Sequence, residues 1–184
     1  MAEYYLISQL PSLDGLSDGV PLPITEEYFI GMCENLLKDK TINELKNLRL
    51  IPPLIPTKSK SALIMAWNKG ERYLRLSLAK IRAEKMKKTF NLENEILPNE
   101  FVKIASNAVE IDNPLEAEKF LTEYRLKFLE SLRPMDCFSE DFIYYYYLRL
   151  KLLNRIRQFN EEEGEITYKN IYNSIINGNK TEAI

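Results

Sequence analysis

The sequence predicts an all-α fold, a single-domain helical bundle of about six helices behind an extended N-terminal segment. Three observations carry that prediction. Apolar residues recur at helical spacing in several segments of more than ten residues. Several of those segments open on recognisable capping residues, Thr25, Asn113 and Ser139. No two stretches read as paired strands, so a sheet has nothing to be built from. With 184 residues the chain is long enough to bury roughly 70% of the surface its unfolded form exposes, as one domain spanning residues 1–184.

The first 24 residues read as an extended or loop segment packed on the bundle. Glu3 to Leu10 is either a short strand or an extended piece, and PSLDGLSDGVPLPIT is dense in Pro, Gly, Asp and Ser, the composition of a loop. Thr25 then offers an N-cap, with Glu26 and Glu27 in the first turn where the helix dipole favours acids. Tyr28, Phe29, Met32, Cys33, Leu36 and Leu37 form one buried face, so Cys33 reads as a core thiol. Thr41 and Glu44 have the spacing of a capping box for a short helix to about Leu48. Pro52, Pro53 and Pro56 forbid regular helix in RLIPPLIPTKSK, which reads as an ordered loop with Leu54 and Ile55 packed on the core.

A long helix follows from Ser61 to about Lys88. Leu63, Trp67, Gly70, Leu74, Leu78 and Ile81 fall within about an 80° arc, the seam of a helix packed on neighbours. Gly70 keeps the phase of that seam, which predicts close approach of another backbone there rather than a kink. A shorter helix is expected around Asn99 to Ala108. Asn113 and Pro114 supply an N-cap and a proline at the first helical position for a helix to about Leu132, striped by Ala117, Phe120 or Leu121, Tyr124, Phe128 and Leu132. Ser139 caps the tyrosine-rich helix, expected to run to about Glu162 and stop at Gly164. A last helix, about Glu165 to Ile176, precedes a flexible polar tail over 178–184.

The tyrosine-rich helix carries FIYYYYLRLKLLNRIRQFN. With Phe142 at 0°, Lys151, Asn154, Arg155 and Gln158 gather between about 120° and 220°, a wet face. The remaining arc is apolar and about 220° wide, the pattern of a bundle's central helix. By the same phasing Tyr145 and Tyr146 point inward and Tyr144 and Tyr147 lie on the polar side. Arg149 and Arg157 interrupt the apolar arc, either as stems covering apolar surface with heads in water or as partners of carboxylates from another helix.

Composition narrows the chemistry. The chain has no histidine, which removes the usual general base near neutral pH, the commonest zinc ligand and the Ser-His and Cys-His nucleophile pairs. Cys33 and Cys137 are far apart and in no CxxC spacing, and no GxGxxG or GxxxxGK[ST] is present. No catalytic, cofactor-binding or metal-ligating residue is therefore assigned, and the protein is expected not to be an enzyme. Twenty-five basic and 27 acidic residues give a net charge of −2, so nucleic acid is not an expected partner. Glu3 and a short apolar run do not make a signal peptide, and about 18 consecutive apolar residues occur nowhere. The expected location is the cytoplasm, with membrane association only peripheral, through partners at the inner membrane. Two alternatives stay open: an anionic-polymer or anionic-lipid binder using Lys80, Arg82, Lys85, Lys87 and Lys88, and a metalloenzyme built on Glu116, Glu118 or Glu123 alone.

Three segments, taken in order, carry a family resemblance. EYYLISQLPSL resembles the start of a family of bacterial proteins of unknown function encoded beside the genes of V-type ATPases. Leu74, Leu78, Ala79, Arg82, Ala83 and Lys85 match that family's L-x-x-x-LA-x-x-RA-x-K pattern. Arg125, Phe128 and Leu129, then Arg155, Phe159 and Gly164 in the closing helices, complete it. Those helices also resemble the C-type subunit of V-type ATPases (called d in eukaryotes), a longer, internally repeated helical funnel; this chain shows no internal repeat. The resemblance implies a non-catalytic component or accessory of a rotary ATPase, acting through helical contacts in coupling or assembly, with the other V-type ATPase subunits as partners on the central-stalk or membrane-ring side. Arginine and tyrosine are enriched at interfaces, so Arg82, Arg125, Tyr144, Tyr147 and Arg155 are the candidate partner contacts.

Overall fold

A computed structural model describes residues 2–16, 21–53, 59–90, 95–158 and 161–181, without the side chains of 2, 161–163 and 176–181. Among these residues the fold is all-α: eight helices and no strand, two more helices than expected. They are α1 (Ala2–Gln9), α2 (Glu26–Leu36), α3 (Asp39–Asn47), α4 (Ala62–Lys85), α5 (Asn99–Glu110), α6 (Pro114–Ser131), α7 (Glu140–Arg157) and α8 (Glu161–Thr181).

The expected extended start is a helix instead. α1 satisfies its own backbone groups where a strand would find no neighbour. It drives Leu6 fully into the core, leaves Tyr4 and Tyr5 exposed, and stacks Tyr4 on Phe138 at 4.3 Å between ring centroids. Three of the predicted caps form as local chemistry demands. Thr25 Oγ1 accepts from Tyr28 N at 3.2 Å, Asn113 Oδ1 from Leu115 N at 2.9 Å and Ser139 Oγ from Phe142 N at 3.3 Å. Ser61, buried, accepts from Ile64 N and so opens α4 rather than belonging to it. The capping box at Thr41 does not form: α3 begins two residues earlier, at Asp39, and the Thr41 hydroxyl donates to Glu140 of α7 at 3.2 Å.

α4 ends in a tight cap. Lys87 takes a left-handed φ of 55°, and the Lys88 N–H closes on the Ala83 carbonyl at 2.9 Å, the six-to-one bond of a Schellman turn. α7 stops at Arg157 rather than near Glu162. Gly164, expected as a helix terminator, lies inside α8, which continues to Thr181 across part of the expected 178–184 tail. Leu54, Ile55 and Pro56, and Phe159, fall outside the described residues, so the packing expected of that loop and of Phe159 has no structural account.

Two hydrophobic clusters form among the described residues. One gathers α1, α2, α3, the first turns of α4 and α7 around Phe29, Cys33, Leu45, Trp67 and the tyrosines. The other gathers the second half of α4 with α5 and α6 around Leu74, Leu78, Phe101, Ala105 and Leu121. Phe128 packs against both, and α4 runs through both. The stripe predicted for α4 is the buried one along most of its length: Leu63, Trp67, Gly70, Leu74 and Leu78 are enclosed and Ile81 is half-buried. The close approach at Gly70 comes from a side chain rather than a backbone. A Cβ built there would run into Cε1 and Cζ of the Phe128 ring.

Candidate functional site

The tyrosine helix α7 is the centre of the molecule, in contact with α2, α3, α4 and α6. Its eight residues Ile143, Tyr144, Tyr145, Tyr146, Tyr147, Leu148, Leu150 and Leu152 are buried, which puts buried positions all round its circumference. Each inward hydroxyl must then find a partner. Tyr144 donates to Glu44 of α3 at 3.2 Å, and Glu44 also accepts from Ser59. Tyr145 donates to Glu130 of α6, and Tyr146 donates to the Pro11 carbonyl at 2.9 Å. Burial is the main cause that raises the phenol pKa values, to about 12 for Tyr145 and Tyr146 and upward also for Tyr144, where Glu44 and Glu140 add to it.

The face expected to be wet is exposed at Gln158 and partly at Arg155, but elsewhere helices cover it and bring carboxylates to it. Glu26 at the start of α2 accepts from Lys151 at 2.9 Å and from Asn154 at 2.8 Å. Tyr147 stacks on Phe29 at 5.3 Å and carries the Lys151 ammonium 4.4 Å from its ring centroid. Burial disfavours the Lys151 ammonium, but its contacts with Tyr147 and Glu26 outweigh that and raise its pKa. Arg155 donates to Glu118 of α6 at 2.8 Å. Arg149 takes the paired alternative, bridging Asp14 at 2.6 Å and Glu130 at 3.2 Å. The Tyr145 hydroxyl, above the other contacts, holds the Glu130 carboxyl below the usual carboxylate range.

The five candidate contacts divide accordingly. Tyr144 and Tyr147 are 2% and 5% exposed, so their expected place on the rim is corrected: phasing finds the polar arc, but α2 and α3 cover it. Arg125 is 13% exposed and faces inward. It grips Glu71, itself 3% exposed, through two hydrogen bonds of 2.9 and 3.0 Å. Arg155 is 40% exposed on the edge of that network, and Arg82 is exposed near the end of α4. The five residues are thus not gathered into one patch; three serve the interior.

A groove of about 990 Å3 opens between α2, α3 and α7, beside residues 47–53, with Glu26, Glu44, Asn68, Lys151, Asn154 and Arg155 among its walls. Of the charged groups that line it, Lys151 engages Glu26, Glu44 accepts from Tyr144 and Arg155 pairs with Glu118. Among the described residues no three His, Cys, Asp or Glu side chains converge as metal ligands, and Glu118 is committed to Arg125 and Arg155. In the basic stretch Lys85 donates to the Val109 carbonyl at 3.2 Å and Lys80 pairs with Glu84 at 4.0 Å, while Lys87 and Lys88 are exposed. Among the described residues no helix is long and apolar enough to cross a membrane. Cys33 is fully buried and its thiol is pushed up to about 12 by burial, as a core thiol; Cys137 is exposed.

The surface that sequence reasoning passed over is α8. Ile166, Tyr168, Ile171, Tyr172 and Ile175 are 53–68% exposed, and every described side chain from Gly164 to Ile175 faces solvent. The signal was present in the spacing 168, 171, 172, 175, which reads as a buried face in any helix that has something to pack on.

Comparison with protein-family models gives a match over residues 78–179, to the family described as Protein of unknown function (DUF2764). No curated protein and no solved structure matches the chain.

Proposed function

We propose that this chain, which belongs to the family described as Protein of unknown function (DUF2764), matched over residues 78–179, is a non-catalytic component or accessory of a V-type rotary ATPase, similar to that enzyme's C-type subunit. The observation that carries the reading is the resemblance of three ordered segments, beginning at Glu3, Leu74 and Asn113, to the proteins encoded beside such ATPases and to the closing helices of the C-type subunit. The physical character of the molecule supports it. A central helix packed on four others, tied to α3 and α6 by phenol–carboxylate and arginine–carboxylate contacts and to α2 by a lysine–carboxylate pair, suits a part that transmits force or seats partners by rigid contact. A chain without histidine suits a role outside catalysis. Arg82 and the outer edge of Arg155 are the contact residues this reading keeps, at the cytoplasmic, peripheral side of the membrane ring.

The test is purification of the tagged chain from its native host under non-denaturing conditions, with identification of the bound proteins. Stoichiometric recovery of V-type ATPase stalk proteins is the expected result. If the ATPase isolates intact from the same cells and the chain is absent from it, the proposal is wrong.

A further inference from the structure

The packing seam of α4 changes character at its end. Leu74 and Leu78 are buried on it and Ile81 is half-buried beside α5. With Arg82 at 0°, Leu78 lies at about −40°, Lys85 at about −60° and Met86 at about +40°, so the same face continues for one more turn as Arg82, Lys85 and Met86, all exposed. α5 runs out at this level: the Lys85 ammonium donates to the carbonyl of Val109, the residue before its last. The left-handed turn at Lys87 then carries Lys87 and Lys88 outward, with Phe90 just beyond them. Met86 and Phe90 are 59% and 37% exposed, and neither belongs to a hydrophobic cluster.

The cations at this tip are not spent on partners within the chain. Lys80 and Glu84 pair with each other on the far side of α4, about 160° to 200° from Arg82. Among the described residues Arg82, Lys85, Lys87 and Lys88 form no ion pair, and that includes Glu110 and Asp112, the acids that follow Val109. We infer that the tip is a docking surface for an anionic lipid bilayer. Arg82, Lys85, Lys87 and Lys88 lie among the headgroups, and Met86 and Phe90 enter the boundary between headgroups and acyl chains. Charge complementarity selects an anionic partner for this one surface of a chain whose net charge is −2. The two bared apolar side chains select a bilayer among anionic partners. A nucleic-acid duplex presents phosphates but no apolar layer at the depth of a lysine side chain, whereas a bilayer presents both. Each cation near such a surface is worth about fivefold in binding, so four of them with two short insertions make a reversible contact rather than an anchor. The contact belongs to this chain alone, so it can fail or stand apart from the rotary-ATPase reading.

Co-sedimentation of the purified full chain with lipid vesicles tests it. Binding is expected to phosphatidylcholine vesicles containing about 30% phosphatidylglycerol, to weaken at least about tenfold between about 50 and about 500 mM salt, and to be absent with phosphatidylcholine alone. Lys87→Gln with Lys88→Gln should weaken it about 25-fold, while Lys80→Gln, on the far side of the helix, should leave it within about twofold. Met86→Ser with Phe90→Ser should also weaken binding at the lower salt, with the relative loss on adding salt unchanged, which a purely electrostatic contact does not give. Unaltered helical circular dichroism in each variant assigns these losses to the surface rather than to the fold. No binding to the anionic vesicles, equal binding to the neutral ones, or indifference to either double substitution overturns the proposal. So does a DNA oligonucleotide held at least as tightly as the anionic vesicles.

Discussion

Gly70 is in the molecule because of what lies above it. The Phe128 ring that occupies the space of a Cβ there is held by Trp67, Phe101 and Tyr124, with centroids 6.2, 5.9 and 6.4 Å away. A ring so enclosed has little room to retreat. Helix propensity alone would make Gly70→Ala stabilising by about 1 kcal/mol; overpacking is expected to win and to cost about 1–3 kcal/mol instead. Urea denaturation should show a lower midpoint with an unchanged slope. Phe128→Leu in the same chain should restore part of the loss, giving a coupling above about 0.5 kcal/mol. A neutral or stabilising Gly70→Ala would remove the ring contact as the reason for the glycine. The phase of Gly70 within the α4 stripe made close approach legible in the sequence, but the identity of the approaching group was not, because Phe128 is 58 positions away and in the next-but-one helix.

At the scale of elements, what the sequence disclosed is what neighbouring residues decide. Thr25, Asn113 and Ser139 cap helices through bonds within three residues, and the width of the apolar arc on α7 follows from its own periodicity. What it hid depends on distant chain. The polar arc of α7 reads as solvent-facing until Glu26 of α2, Glu44 of α3 and Glu118 of α6 arrive to meet it, so Tyr144 and Tyr147 read as rim residues and are interior. The junction of α4 with α6 depends on the same device. Arg125 neutralises Glu71 in a nearly closed site, with Arg75 a third, more exposed participant at 3.4 Å. Arg125→Ala strands a buried carboxylate and is expected to cost about 3 kcal/mol, the low end for a broken buried pair because Arg75 remains. Replacing both Arg125 and Glu71 by methionine should cost less than the single change. A loss under about 1 kcal/mol for Arg125→Ala, read from thermal or urea unfolding, would show that the pair is not what joins the two helices.

Among the described residues the molecule is two apolar clusters threaded by one helix and pinned at Phe128, with the described side chains of α8 outside both. The all-α class was legible because no two segments read as paired strands and most apolar runs repeat at helical spacing. The helical start and the length of α8 were not, since a pair of tyrosines beside leucine and isoleucine reads equally as strand, and Gly164 carries no mark of whether a helix ends or passes through it.

The aromatic column on α7 also gives the protein an upper limit of alkalinity. Tyr145 and Tyr146 hold their protons to about 12, chiefly because they are buried, and Tyr144 and Tyr124 are raised for the same first reason. In the unfolded chain a phenol ionises near pH 10. Below that value both states are protonated and stability is untouched. From about pH 10 the unfolded chain sheds protons that the folded one keeps, so stability declines steadily through that window toward 12. The expected outcome is cooperative alkaline unfolding, in which phenolate absorbance from the buried set, loss of helical circular dichroism and the emission shift of the single indole, Trp67, coincide at one pH. Phenolate growth from these tyrosines while the helix signal stays intact would contradict it. The rings that build the centre of the bundle are thereby its base-labile latch, and the lone tryptophan beside them reports when it opens.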